Sequence, residues 1–223
     1  MRIDNENNTL AGLLARVHDQ SQRKQDYIAS SAEFQVSTVE PSNPGDGANI
    51  TRLILEGAMG RKTEIFEAND VAFDQMCGRA DIPARTGRRL RDQYPAQLDH
   101  VLNAIHHKEV RPAMLRTFDM SDRSGTAPVW RDPSSTGILR ALVSDKFKTF
   151  DNPDLLEAVL PPLMESDAEW QVVSADVTDK RLYARFKSLA ITGEGAAVGD
   201  LMSQGVSISN SETSHGSVSL AQI

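Results

Sequence analysis

Arg140 lies inside an otherwise apolar run, Ile138 to Val143, and the run ends in Ser144, Asp145 and Lys146. A guanidinium at such a place needs a carboxylate, because a buried unpaired charge costs several kcal/mol, in rough terms. Asp145, Asp151 and Glu212 are the candidates, with Ser144, Asn152 and Asn210 completing a polar cluster. The cluster reads either as a lock on a strand–turn–helix unit or as the floor of a binding site. Together with Asp200, the same carboxylates are also the candidate ligands for a metal-dependent nuclease or hydrolase. Arg140 or Lys146 would then be the nearby cation, although the spacing matches no two-metal pattern. In the plainer reading Ser144 and Asp145 turn the chain, and Asp151 or Asn152 caps the helix that follows, with Pro153 in its first turn.

A second group of residues could bind phosphate. Arg85, Arg88, Arg89 and Arg91 fall in a helix that begins at Asp81, Ile82 and Pro83, and His106, His107 and Lys108 close the next helix. Cations suit a helix C-terminus, so a solvated face is the alternative to a phosphate-binding patch. Along residues 181–188, Leu182, Ala184 and Phe186 share one face of a strand, and Arg181, Tyr183, Arg185 and Lys187 share the other. Such a face would neutralise phosphates, with Tyr183 or Trp130 stacking on bases. Otherwise it is an exposed sheet face with Tyr183 half packed.

Other chemistry finds little support. Adjacent helical residues point about 100° apart, so His106 and His107 do not make a zinc pair. Cys77 is the only cysteine, which rules out an internal disulfide and a thiolate cluster. It reads as a small buried hydrophobe rather than a nucleophile. The glycine-rich stretch 193–200 lacks the Gly-Lys-Ser/Thr ending of a phosphate loop. No cofactor and no metal are expected.

These residues must be held by elements that the pattern outlines. Leu10, Leu13, Leu14 and Val17 form an amphipathic helical stripe. Residues 34–39 and 51–55 read as a hairpin with a long Pro/Gly/Asn loop, and 64–68 as a short strand. Asn69 starts a helix, and Pro95 opens another with Leu98, Val101, Leu102 and Ile105 on its stripe. Strands follow at 111–119 and 137–143, then a helix at 153–164, a hairpin at 169–177 and 181–188, and strands at 205–209 and near the C-terminus. The expectation is an α+β fold: one mainly antiparallel sheet from the strands between 111 and 209, with helices near 83–107 and 153–164 covering one face. Residues 1–30 are read as an N-terminal helix and tail, and 31–223 as a single domain. A chain of 223 residues with net charge −7 can hold a core without staples. Its charge argues against a uniformly basic coat. A polar, acidic start without an apolar run does not resemble a signal peptide.

Several blocks occur in an order that resembles a known family. They are the Ile82-Pro83 helix start, the Pro95–Ile105 helix with Asn103, and Arg140-Ala141 followed by Ser144-Asp145-Lys146-Phe147. Asp151-Asn152 with its helix and the Leu182-Tyr183 strand come next. Gly199-Asp200 then leads to Gly205-Val206, Ile208 and Ser209-Asn210-Ser211-Glu212. The order is similar to that of the phage and plasmid family filed as domain of unknown function 932, from about residue 65 onward. Phe147 stands where members usually carry Tyr, and members continue past the final Gly-Ser strand, so the chain reads as a short or C-terminally truncated member. The resemblance implies a mobile-element origin and a bacterial cytoplasm, and it supplies no activity. The leading expectation is a nucleic-acid-associated accessory protein whose partner is DNA or RNA. The others are a non-enzymatic protein that binds or inhibits a host or phage protein, and a metal-dependent nuclease or hydrolase. No membrane association is expected.

Overall fold

The computed structural model describes residues 9–42, 47–56, 62–119, 134–166, 169–194 and 201–222. In chain order the elements are α1 (Leu10–Arg23), β1 (Lys24–Ser30), β2 (Phe34–Val39), β3 (Ile50–Leu55), β4 (Glu64–Ala68), α2 (Asp70–Arg79), α3 (Ala84–Gln93) and α4 (Pro95–Lys108). They continue with β5 (Pro112–Asp119), β6 (Gly137–Ser144), α5 (Asn152–Glu165), β7 (Trp170–Val177), β8 (Leu182–Glu194), β9 (Leu201–Asn210) and β10 (Ser219–Gln222). The fold is α+β, with mostly antiparallel sheets. The chain divides into two compact units, one from Arg23–Phe147 and one from the segments on either side of it. Among the described residues no helix is long and apolar enough to cross a membrane.

The Arg23–Phe147 unit holds a six-stranded sheet of order β1-β5-β6-β4-β3-β2. All neighbours are antiparallel except the parallel pair β4 and β6. Helix α2 starts where expected: Asn69 accepts the Ala72 N–H on its side-chain oxygen at 2.9 Å. Pro95 opens α4, where its missing N–H costs nothing, while Pro83 stands one place before α3, at its N-cap. The core joins Phe34, Val36 and Leu53 of the strands to Phe73, Met76, Leu98 and Leu102 of the helices. Helix α4 also covers the open edge of β2 with a polar stripe. Asp99 accepts the Thr38 N–H at 2.8 Å, Asn103 accepts the Val36 N–H at 2.7 Å and donates to the Val36 carbonyl at 2.8 Å, and His107 Nε2 meets the Phe34 carbonyl at 3.1 Å. Residues four apart share a helix face, and β2 presents every second residue to them.

The other unit holds a four-stranded antiparallel meander, β10-β9-β8-β7. Leu13 and Val17 of α1 and Leu155 and Leu156 of α5 pack with the sheet residues Ala175, Leu182, Ala184, Phe186 and Ile208. Helices therefore cover one face of this sheet, and the side chains its strands expose include Val173 and Leu189 as well as Arg185 and Lys187.

The expected single sheet is not what forms. Strands at 111–119 and 137–143 belong to the six-stranded sheet, and those at 169–177, 181–188 and 205–209 to the four-stranded one. The reason is partner choice. The last three are consecutive, and short connections let them pair with one another, whereas β6 finds β5 and the distant β4. Residues 24–30, read as part of a polar tail, form β1 because β5 supplies a full antiparallel partner from Lys24 with Phe118 to Ser30 with Pro112.

Candidate functional site

The polar residues that close β9 are nearly all buried. Asn210, Ser211, Glu212 and Thr213 are each at most 5% exposed. Glu212 Oε1 accepts the Asn152 N–H at 2.7 Å, which places a carboxylate on the positive end of α5. Asn210 Nδ2 donates to the Phe150 carbonyl at 2.8 Å and to Asn152 Oδ1 at 3.1 Å. Asp151, the N-cap, donates its own N–H to Asp154 at 2.9 Å. Ser211 and Thr213 donate to the carbonyls of Lys180 and Asp179, at 2.8 and 3.1 Å. This segment ties the start of α5 to the β7–β8 turn, and Asp151, Asn152, Asn210 and Glu212 come together in one unit. Arg140, Ser144 and Asp145 belong to the other unit. Arg140 is buried, with its guanidinium 4.1 Å from the centre of the Phe118 ring. Ser144 and Asp145 are exposed at the end of β6, where Ser144 Oγ donates to Asp145 at 3.2 Å and accepts the Lys146 N–H. Among the described residues no three of His, Cys, Asp and Glu are gathered to hold a metal ion. Asp200 and Trp130 lie outside the described residues.

The uncovered face of the four-stranded sheet has a different character. Along β8, Leu182, Ala184 and Phe186 are buried, Arg185 and Lys187 are exposed and Tyr183 is half-buried between them, in the alternation expected. Arg181, just before the strand, is exposed too, and its guanidinium donates to the His215 carbonyl at 3.3 Å. The Arg185 guanidinium stands 5.5 Å from the Tyr183 ring centre, a cation–π distance. Cross-strand partners of these residues are small or polar. Ser209 and Asp176 flank Tyr183, Ser207 and Ser174 flank Arg185, and Gly205 and Gln171 flank Lys187. Among the described residues the face carries the Tyr183 ring, Arg185 and Lys187, with Arg181 just before the strand and the carboxylate of Asp176 beside the ring; β7 bulges between Val172 and Ser174, and Val173 and Leu189 are exposed as well. Asp176 and its neighbours escape a reading of β8 alone. The short Thr178–Lys180 turn carried the signal, since counting outward from it sets the register of β7 against β8.

Comparison with known proteins adds nothing to this geometry. No protein-family model, no curated protein and no solved structure matches the chain. The family resemblance therefore rests on its sequence blocks alone.

The arginine-rich helix α3 is mostly engaged within its own unit. Arg88 pairs with Asp74 at 2.6 Å and is half-buried. Arg91 is buried, 4.9 Å from the Phe73 ring centre and paired with Asp92 at 3.0 Å. Arg85 and Arg89 are exposed, and Arg89 donates to Gln93 at 3.2 Å. His106 is not the helix-end cation expected. It is 3% exposed, edge-on to Phe34, and burial, with Arg79 and His107 adding to it, pushes its pKa down to about 4. The imidazole is therefore neutral near pH 7. Cys77 is buried, as read from its position, and desolvation pushes its thiol up to about 11, so it carries little thiolate.

Proposed function

We propose that the chain is a nucleic-acid-binding accessory protein of a phage or plasmid, acting in the bacterial cytoplasm, and that the outer face of β8 is its contact surface. One observation carries the reading: Arg181, Arg185 and Lys187 stand exposed in a row on one sheet face with Tyr183 among them. Alternate residues of a strand are about 6.8 Å apart, so these cations reach successive points along a backbone lying on the sheet. The net charge of −7 leaves the rest of the surface unfavourable to a polyanion, which confines contact to such a patch. The family resemblance supplies the mobile-element setting. The pairing of Arg88 and Arg91 within their own unit favours β8 over α3 as the contact.

The test is a salt titration of binding to a labelled single-stranded oligonucleotide. Three phosphate contacts give a slope of log K against log salt of about −2, and the double variant Arg185→Ala/Lys187→Ala brings it to about −0.7. Arg85→Ala/Arg89→Ala leaves it unchanged. Wild-type protein that binds no oligonucleotide at low salt overturns the reading.

A further inference from the structure

Building on the nucleic-acid reading of β8, we infer that the ligand is single-stranded and that Asp176 makes the site select guanine for the base stacked on Tyr183. The shape of the face argues for a single strand. Four strands at about 4.8 Å spacing make a backbone surface some 14 Å across, wider than the ~12 Å major groove of a duplex. A duplex can therefore meet this face only through phosphates, and its stacked bases have no free surface to lay on a ring. A single strand can splay a base onto Tyr183 while Arg181, Arg185 and Lys187 take the phosphates to either side. The ring is half-buried, with the Arg185 guanidinium 5.5 Å from its centre, and its neighbours across β9, Ser209 and Ser207, are small, so a base reaches the part of the ring that Arg185 leaves open.

The choice of base follows from Asp176. It is the direct cross-strand partner of Tyr183, it is exposed, and its side chain shares the outer face, since the pair next to it, Ala175 and Ala184, is buried inward. Directly opposed side chains on a sheet stand about 5 Å apart at Cβ. A base lying on the Tyr183 ring therefore overhangs β7 and brings an edge to the carboxylate. An ionised carboxylate only accepts hydrogen bonds, and it offers two oxygens side by side. Guanine alone presents two adjacent donors on its Watson–Crick edge, N1–H and the N2 amino group, which match those oxygens in a charge-assisted pair. Adenine and cytosine each place a ring acceptor beside their amino group, so one oxygen faces a lone pair. Thymine and uracil flank their single N–H with two carbonyls, so both oxygens are opposed. The expected order is guanine first, then adenine and cytosine, then thymine and uracil.

Fluorescence anisotropy with four 12-residue oligothymidylates tests this, one unmodified and the others carrying a single central guanine, adenine or cytosine. The guanine strand binds at least about fivefold more tightly than the unmodified one, the lower end for a bidentate base contact. Asp176→Asn removes that preference without weakening the unmodified strand, since it also removes a negative charge from the face. Tyr183→Phe keeps the preference, and Tyr183→Leu loses affinity for all four strands. Circular dichroism melting checks that each variant is folded. Four strands bound equally by the wild type, with salt dependence intact, overturn the guanine inference and leave the nucleic-acid reading standing. Duplexes bound as tightly as the single strands overturn the single-strand claim. No binding of any strand at low salt overturns both the inference and the reading beneath it.

Discussion

Glu212 accepts the backbone N–H of Asn152 at 2.7 Å, across sixty residues of chain. The bond closes the first turn of α5 with a buried carboxylate, at the end of the helix where the dipole favours negative charge. Removing it strands a buried donor. Glu212→Ala is expected to cost about 2 kcal/mol, and Glu212→Gln about half that, because an uncharged acceptor remains. Urea denaturation checks this as a lowered midpoint with an unchanged slope. A wild-type midpoint in Glu212→Ala would mean that the residue does not hold the helix start.

The stripe of Asp99, Asn103 and His107 on α4 covers the edge of β2 by hydrogen bonding to it. An uncovered edge is a template for pairing with another chain. Asn103→Leu leaves both the N–H and the carbonyl of Val36 without their side-chain partner. The variant is expected to lose about 2 kcal/mol, to exchange the Val36 amide faster, and to associate as its concentration rises. Hydrogen exchange and light scattering read these outcomes, and an unchanged Val36 exchange rate would show that the amide is protected by something else.

Helices α2 and α3 approach each other closely at Cys77 and Gly87. A Cβ built on Gly87 would lie 2.5 Å from Cys77 Sγ and 3.5 Å from the Phe73 ring. Gly87→Ala must therefore displace the Cys77 sulfur or part the helices, an overpacking cost of about 1–3 kcal/mol. Adding Cys77→Ala removes the obstructing sulfur, so the double variant should be more stable than the sum of the single effects predicts. Additive effects in this double-mutant cycle would place the strain elsewhere.

Local signals carried most of the elements, and distant pairing was beyond them. The alternation of Leu182, Ala184 and Phe186 with Arg181, Tyr183, Arg185 and Lys187 is visible because strand periodicity is a property of the strand itself. The cap at Asn69 and the opening at Pro95 are local for the same reason. The parallel pairing of β4 with β6 joins segments some seventy residues apart and leaves no local trace, so strands expected in one sheet divide between two. Strand β1 was hidden because Lys24, Gln25 and Asp26 look like tail, and only pairing with β5 makes them a strand. Arg88 looked like a free cation because Asp74, fourteen residues earlier, gives no sign that it will be opposite. Asn152, Asn210 and Glu212 were grouped with Arg140 because a guanidinium in an apolar run calls for a carboxylate; the three meet one another, whereas Arg140 belongs to the other unit. Their role at the N-terminus of α5 needed the fold.

His106 makes stability depend on pH. Burial, with Arg79 and His107 adding to it, lowers its pKa from the ordinary 6.5 to about 4, and the ring sits edge-on to Phe34 at 5.5 Å. Between those two values the unfolded chain binds a proton that the native chain does not, so stability rises with pH across the window. The contribution is fully present above about pH 6.5 and is lost as pH falls toward 4, reaching roughly 3 kcal/mol when the two values are converted at 1.36 kcal/mol per unit. His106→Leu has a similar volume, fills the same apolar place and has nothing to protonate. Urea denaturation of both proteins at pH 7, 6, 5 and 4.5 should show the wild type losing stability faster than the variant through this range. Carboxylates that titrate in the lower part of the window act on both proteins alike, so the difference between the two curves isolates His106. Parallel curves would mean that the native protein takes up the proton as readily as the unfolded chain, and the buried neutral imidazole would then be the wrong description.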